Sequence, residues 1–193
     1  MRLLPALAGA ALLFASEAEA GPKGKPDPDL RKALTAAIHD SHEFRDRYAA
    51  EVWFTDMSAR LQRYVPRAMP DAKKRLRFLK ILHAEAARAD VPPELVLAVI
   101  DVESRFDRFA ISSTGAQGLM QIMPFWLKET GAKADNLFQP EVNLRLGCTI
   151  LKFYLDREKG DKVRALARYS GSGKDTQYSY KVLSALSARW YRS

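Results

Sequence analysis

One cysteine, Cys148, occurs in 193 residues, so the chain can form no internal disulfide. No apolar run reaches the roughly 20 residues that a membrane-spanning helix needs. No stretch alternates apolar and polar residues for long, which argues against a sheet of any size. Internal repeats are absent too, which excludes a solenoid. At 47% hydrophobic residues the composition excludes intrinsic disorder and leaves enough apolar side chains for one packed domain.

The longest apolar stretch, Leu3–Ala15, follows Arg2 and precedes Ala18-Glu19-Ala20, a small-x-small site. A short basic region, an apolar core and such a site predict export to the periplasm with cleavage after Ala20. No Cys lies near that site to carry a lipid. The whole chain has a formal net charge of +8, and loss of Arg2, Glu17 and Glu19 would raise it to +9. In an exported protein, that excess implies acidic wall glycan or anionic lipid headgroups rather than nucleic acid.

What remains is helical. Residues 21–29, rich in Pro, Gly and charge, read as a flexible leader. Leu30, Leu34 and Ile38 recur every fourth residue, and a second helix is expected over 44–64 with Val52, Trp53, Met57, Leu61 and Tyr64 inward. A long helix over 72–89 is expected to turn Leu76, Leu79, Ile81, Leu82 and Ala86 to the core. Asp90 with Val91-Pro92-Pro93 is expected to end that helix and start the next, with Asp90 as a candidate cap and Pro92 or Pro93 in the first turn. Further helices are expected over 124–130, 140–157, 161–169 and 178–191. Cys148 shares a helical face with Leu144, Leu151 and Leu155, the position of a core thiol. The resulting division is a helical N-terminal extension over 30–71 and a single all-α domain over 72–193. His39, His42 and Glu43 fall within one turn, but nothing else joins them, and they read as solvated surface rather than a metal site.

Glu103 closes the apolar run Leu95-Val96-Leu97-Ala98-Val99-Ile100. At 100° per residue it shares a face with Val96, Val99, Ile100 and Phe106, while Asp101 points away and Asp107 follows one turn on. Apolar neighbours penalise the charged carboxylate, which favours a group that holds a proton near neutral pH, as a general acid must. A loop with Ser112, Gly115, Gly118, Gln121 and Met123 follows. Its glycines permit close backbone approach by a ligand, the Gln121 amide both donates and accepts, and Met123 offers a soft apolar wall. Tyr169, Ser170, Tyr178 and Tyr180 form a second polar and aromatic segment suited to sugar rings.

The spacing of Glu103-Ser104-Arg105-Phe106, Gly115-Ala116, Gly118-Leu119-Met120-Gln121-Ile122-Met123-Pro124, Asn136-Leu137-Phe138-Gln139-Pro140 and Ala165-Leu166-Ala167-Arg168-Tyr169 resembles the soluble lytic transglycosylase catalytic domain. The resemblance runs from about Phe78 to Trp190. It implies a lysozyme-like fold with little or no sheet, and Glu103 as single acid and base. Cleavage would fall between N-acetylmuramic acid and N-acetylglucosamine, with closure of a 1,6-anhydro ring. Ser112, Gln121, Met123, Tyr169, Ser170 and Tyr178 would line the cleft. No cofactor or metal is implied. The partner would be peptidoglycan strands, met by a monomer, with an envelope secretion or division machine as a further candidate. Ser170 stands where the family usually has Asn. The alternatives are a goose-type lysozyme-like hydrolase, and a wall-binding or assembly module with weak catalysis.

Overall fold

The computed structural model describes residues 27–38, 47–131, 136–173 and 175–191. The expected export segment, leader residues 21–26, and the group His39, His42 and Glu43 lie outside the described residues. Among the described residues there are eight α-helices: α1 Pro28–Ile38, α2 Arg47–Tyr64, α3 Ala72–Arg88, α4 Pro93–Glu103, α5 Phe125–Glu129, α6 Pro140–Arg157, α7 Lys162–Tyr169 and α8 Gln177–Ala185. A π-helical turn, Leu186–Trp190, continues α8. The only pairing of extended backbone among them is a pair of isolated bridges, Ile111 with Gln117 and Gln117 with Ile122. The fold is all-α. None of the described helices is long and apolar enough to cross a membrane.

Two helices make the centre. In α4 every residue from Leu95 to Asp101 is buried, as a helix apolar all round requires. It packs against α3, α8 and the π turn. The second, α6, buries Leu144, Leu146, Cys148, Ile150, Leu151 and Tyr154 and packs against α1, α3 and α7. Each fully buried Leu, Ile or Val contributes about 1.5–3 kcal/mol as an upper figure, so these helices supply much of the driving force for folding. Burial, with the nearby Glu85 charge, pushes the Cys148 thiol far above its ordinary range, which removes it as a nucleophile.

Local signals set the helix ends. Asp71 accepts from Lys74 N at 2.7 Å and starts α3; Asp161 accepts from Val163 N and Arg164 N and starts α7. Pro93 and Pro140 stand in the first turns of α4 and α6. Helix α1 begins at Pro28, inside the stretch expected as leader, because the Asp27 carboxylate accepts from Asp29 N and Leu30 N. Asp90 does not cap α4. It closes α3 instead, with a left-handed φ of 55° that lets Val91 N reach Ala86 O.

Two expected core positions are on the surface. Val52 is 54% exposed and Leu76 39% exposed. Phe54 and Phe78, two residues on and nearly opposite on the helix, are buried instead. Arg75 takes the remaining inward position on α3, donating to the carbonyls of Met69 and Pro70 at the turn from α2. The same α3 face buries Glu85, which joins Arg88 and Arg145 and ties α3 to α6. The N-terminal helices pack on this core. Leu30 and Leu34 are fully buried, and Trp53 Nε1 donates to Glu94 at 2.8 Å. Arg60 Nη1 donates to the carbonyls of Arg189 and Tyr191.

Candidate active site

Helix α4 stops at Glu103 for identifiable reasons. Ser104 leaves helical geometry with φ −133°, and its hydroxyl reaches Leu119 O at 2.8 Å. Arg105 and Phe106 then take left-handed φ values of 51° and 65°, unusual for non-glycine residues. The Phe106 ring holds that turn in place: it is 2% exposed and packs against Phe78 and Trp190. Phe106 therefore does not extend the helical face of Glu103, as the 100° rule had it, because the helix has already ended. The carboxylate is left half-buried on a helix end pinned on both sides.

Tyr178, in the first turn of α8, donates its hydroxyl to Glu103 Oε1 at 2.9 Å. Burial, then the Glu103 charge and Tyr169, raise the Tyr178 phenol well above its ordinary range, and the hydrogen bond to Glu103 adds to this. Tyr178 thus remains a donor throughout the neutral range. Asp101 has other partners, accepting from Arg189 Nη1 at 2.8 Å and Trp190 Nε1 at 3.0 Å. Asp107 is exposed and accepts from Phe109 N in its own turn.

The loop that Ser104 holds at Leu119 O, next to Glu103, is itself braced by α6. Asn143 in α6 has no exposed surface. Its Oδ1 accepts from Met120 N at 2.8 Å, and its Nδ2 donates to Gln117 O and Leu137 O, each at 2.9 Å. Gly118 has φ 78°, and a Cβ there would lie 2.4 Å from both Asn143 Nδ2 and Leu137 O. Only glycine fits. Gly147 gives the same close approach from α6, since a Cβ would lie 2.3 Å from Met120 Sδ.

The expected site residues divide under this geometry. Gln121 is 3% exposed with φ 52°. Its amide nitrogen donates to Gly118 O and Ala110 O, so it braces the loop, and only its carbonyl oxygen is left to meet a ligand. Met123 is half-buried against the core. The Ser112 hydroxyl bonds Thr114 Oγ1 and accepts from Ala116 N, both in its own turn. Tyr169 is buried without exposed surface, and its hydroxyl donates to Met120 O at 2.9 Å. It lies beneath the loop rather than along the cleft, close enough for the Glu103 charge to add to burial in raising its phenol. Ser170 ends α7 and bonds Ala167 O and Ser172. Its side chain completes a helix end, a role that Asn also performs, so Ser170→Asn is expected to change turnover by less than about threefold in a wall-digestion assay.

Two residues of this framework were not singled out from the sequence. Asn143 and Ser104 are not among the candidate site residues that the sequence offers. The available signal was polarity at an inward helical position, since a buried amide must find partners. Among the described residues, no group of three or more His, Cys, Asp or Glu is arranged to hold a metal ion.

A family model described as the transglycosylase SLT domain matches residues 80–183. The chain is similar to a transglycosylase of Enterobacteria phage PRD1, 33% identical over 109 residues, which cover 56% of this chain and 40% of that relative. It is also similar to membrane-bound lytic murein transglycosylase C of Yersinia pestis (strain Pestoides F), 30% identical over 105 residues, 50% of this chain and 29% of the relative. The chain thus spans less than half the length of these relatives. Among solved structures, the X-ray structure of an inactive mutant of lytic transglycosylase Slt from Pseudomonas aeruginosa superposes with a TM-score of 0.51 at 23% identity. The match covers 88% of this chain and 38% of that one, a likeness of fold.

Proposed function

The chain belongs to the transglycosylase SLT domain family, and from that premise we propose that it is a peptidoglycan lytic transglycosylase with Glu103 as its single acid and base. The observation that carries this reading is the 2.9 Å hydrogen bond from Tyr178 to Glu103, at a pinned helix end tied to a braced glycine-containing loop. In the first step, Glu103 gives its proton to the oxygen bridging N-acetylmuramic acid and N-acetylglucosamine, and the bond to the muramyl anomeric carbon breaks. The acetamido group of the same sugar assists at that carbon, so a second protein carboxylate is not needed, unlike the paired scheme of most glycosidases. In the second step, the sugar's own primary hydroxyl attacks the anomeric carbon and gives its proton to the Glu103 carboxylate. A 1,6-anhydro ring closes, no water is consumed, and the enzyme returns to its starting protonation state.

Tyr178 orients the carboxyl group and favours its charged form after the proton has left. Tyr178→Phe is expected to lower kcat on purified sacculi by about 10- to 100-fold, the worth of a hydrogen bond to a charged group. The thermal midpoint should move little. Unchanged kcat would remove Tyr178 from the mechanism.

Action on the wall follows from the export reading of residues 1–20, which N-terminal sequencing of the secreted protein tests; an intact Met1 would contradict it. The activity itself is tested by incubating purified protein with sacculi. Release of soluble muropeptides is expected. Binding to sacculi without release would overturn the enzyme reading in favour of a wall-binding module.

A further inference from the structure

Glu103 is flanked by residues held from a part of the chain that the family domain does not include. Asp101, two residues before it, accepts from Arg189 Nη1 at 2.8 Å and Trp190 Nε1 at 3.0 Å. Phe106, three residues after it, packs its ring on Trp190 with centroids 5.4 Å apart. Both contacts end on the π turn Leu186–Trp190, beyond residues 80–183. Tyr191 N closes that turn on Leu186 O at 2.7 Å. Turns of this kind are rare, and tertiary contacts have to hold them. Here α2 supplies such contacts, also from outside the family domain. Arg60 Nη1 donates to Arg189 O at 2.9 Å and to Tyr191 O at 3.2 Å. The last carbonyls of a helix have no partner within it, so Arg60 caps the turn from a neighbouring helix. Its Nε donates to Asp56 Oδ1 at 3.0 Å, which fixes the guanidinium on α2. One turn on, the Tyr64 ring meets Trp190 edge-on at 5.9 Å.

These contacts form one line, from Arg60 to the π turn, from the π turn to Asp101 and Phe106, and from these to the backbone on either side of Glu103. We propose that Arg60 is a positioning residue for Glu103, acting through the π turn, so that α2 is a working part of the active site. The effect on turnover rests on the proposed acid and base role of Glu103; the effect on geometry does not. Without Arg60 two carbonyls lose their donor, and the turn is free to relax toward α geometry. That relaxation rotates Trp190 relative to Asp101 and Phe106, and the helix end they pin moves with it. A misplacement of about 1 Å at a reacting group costs up to about 100-fold in rate. The opposite end of α2 offers an internal comparison. There Trp53 Nε1 donates to Glu94 at 2.8 Å, at the far end of α4 from Glu103. That bond fastens α2 to the same helix without touching the π turn.

The test compares Arg60→Gln, Arg60→Lys and Trp53→Phe in the full chain by two readouts. The first is muropeptide release from sacculi. Arg60→Gln is expected to lower kcat at least about tenfold, with the half-saturating sacculus concentration changed less than about twofold. Arg60→Lys, which keeps a donor for the two carbonyls, should stay within about threefold of the parent. Trp53→Phe, which loosens the other end of α2, should melt lower but keep kcat within about twofold. The second readout needs no activity. Hydrogen exchange over residues 101–107 should be at least about tenfold faster in Arg60→Gln and unchanged in Trp53→Phe. Exchange as slow in Arg60→Gln as in the parent would overturn the proposal, as would a kcat loss in Trp53→Phe equal to that in Arg60→Gln. Unchanged kcat beside a raised half-saturating concentration would overturn it too. A parent that releases no muropeptides, with exchange accelerated only in Arg60→Gln, rejects the transglycosylase reading and leaves the positioning role of Arg60 standing.

Discussion

Glu103→Gln should lower the rate of muropeptide release from sacculi by about 10^2- to 10^4-fold, the range for loss of a positioned general acid or base. The upper end is expected, because in the proposed mechanism one carboxyl serves both proton transfers and the substitution removes both. Glutamine is nearly isosteric, and its carbonyl oxygen can still accept from Tyr178. The helix end should therefore survive, held by the Ser104 bond to Leu119 O and by the buried Phe106 ring. Circular dichroism melting should place the variant's thermal midpoint within a few degrees of the parent's. A rate within threefold of the parent's, in a protein melting normally, would mean that another group delivers the proton.

Asn143→Ala should produce a large loss of stability. The side chain has no exposed surface and joins three backbone groups, Met120 N, Gln117 O and Leu137 O. Alanine would leave all three buried without a partner, at about 1–3 kcal/mol each before relaxation. Water entering the space and local relaxation bring the expected net cost to about 3–5 kcal/mol. For a chain of this size that lowers the thermal midpoint by about 10 °C. Wall-digesting activity should fall further than stability at the assay temperature explains, because the loop those groups hold is tied at Leu119 O to Ser104, the neighbour of Glu103. An Asn143→Ala protein melting within two degrees of the parent would show that the loop is held by something else.

The helices were legible where one periodic signal dominates. Helix α4 is apolar on every side from Leu95 to Ile100, and nothing but a buried central helix suits that pattern. The start of α6 at Pro140 also read directly. Legibility ended where two faces were equally apolar. In α2, Val52 and Phe54, and in α3, Leu76 and Phe78, stand two residues apart and so on nearly opposite sides of their helix; only the packing partner decides which side turns inward. In both pairs the larger ring took the core. The helix junction at Asp90 was legible, but its capping role was not, because Asp serves at either end of a junction and its left-handed φ places it with the helix before it.

The site followed the same division. Glu103 was visible because a carboxylate at the end of an apolar helix stands out against its neighbours. Its hydrogen bond to Tyr178 spans 75 residues of sequence, a distance over which no local pattern reports. Tyr169 shows the converse limit. The motif named the residue, but sequence does not separate a tyrosine facing a sugar from one whose hydroxyl ties down the loop beneath it, as Tyr169 does at Met120 O.

The central claim is that Glu103 closes an anhydro ring with a hydroxyl of the substrate rather than with water. Digestion of purified sacculi in water enriched in oxygen-18, followed by mass spectrometry of the released muropeptides, tests it most directly. The account predicts muramyl ends that are lighter than reducing ends by one water and carry no oxygen-18. Reducing ends bearing the heavy oxygen would contradict it and make the protein a hydrolase.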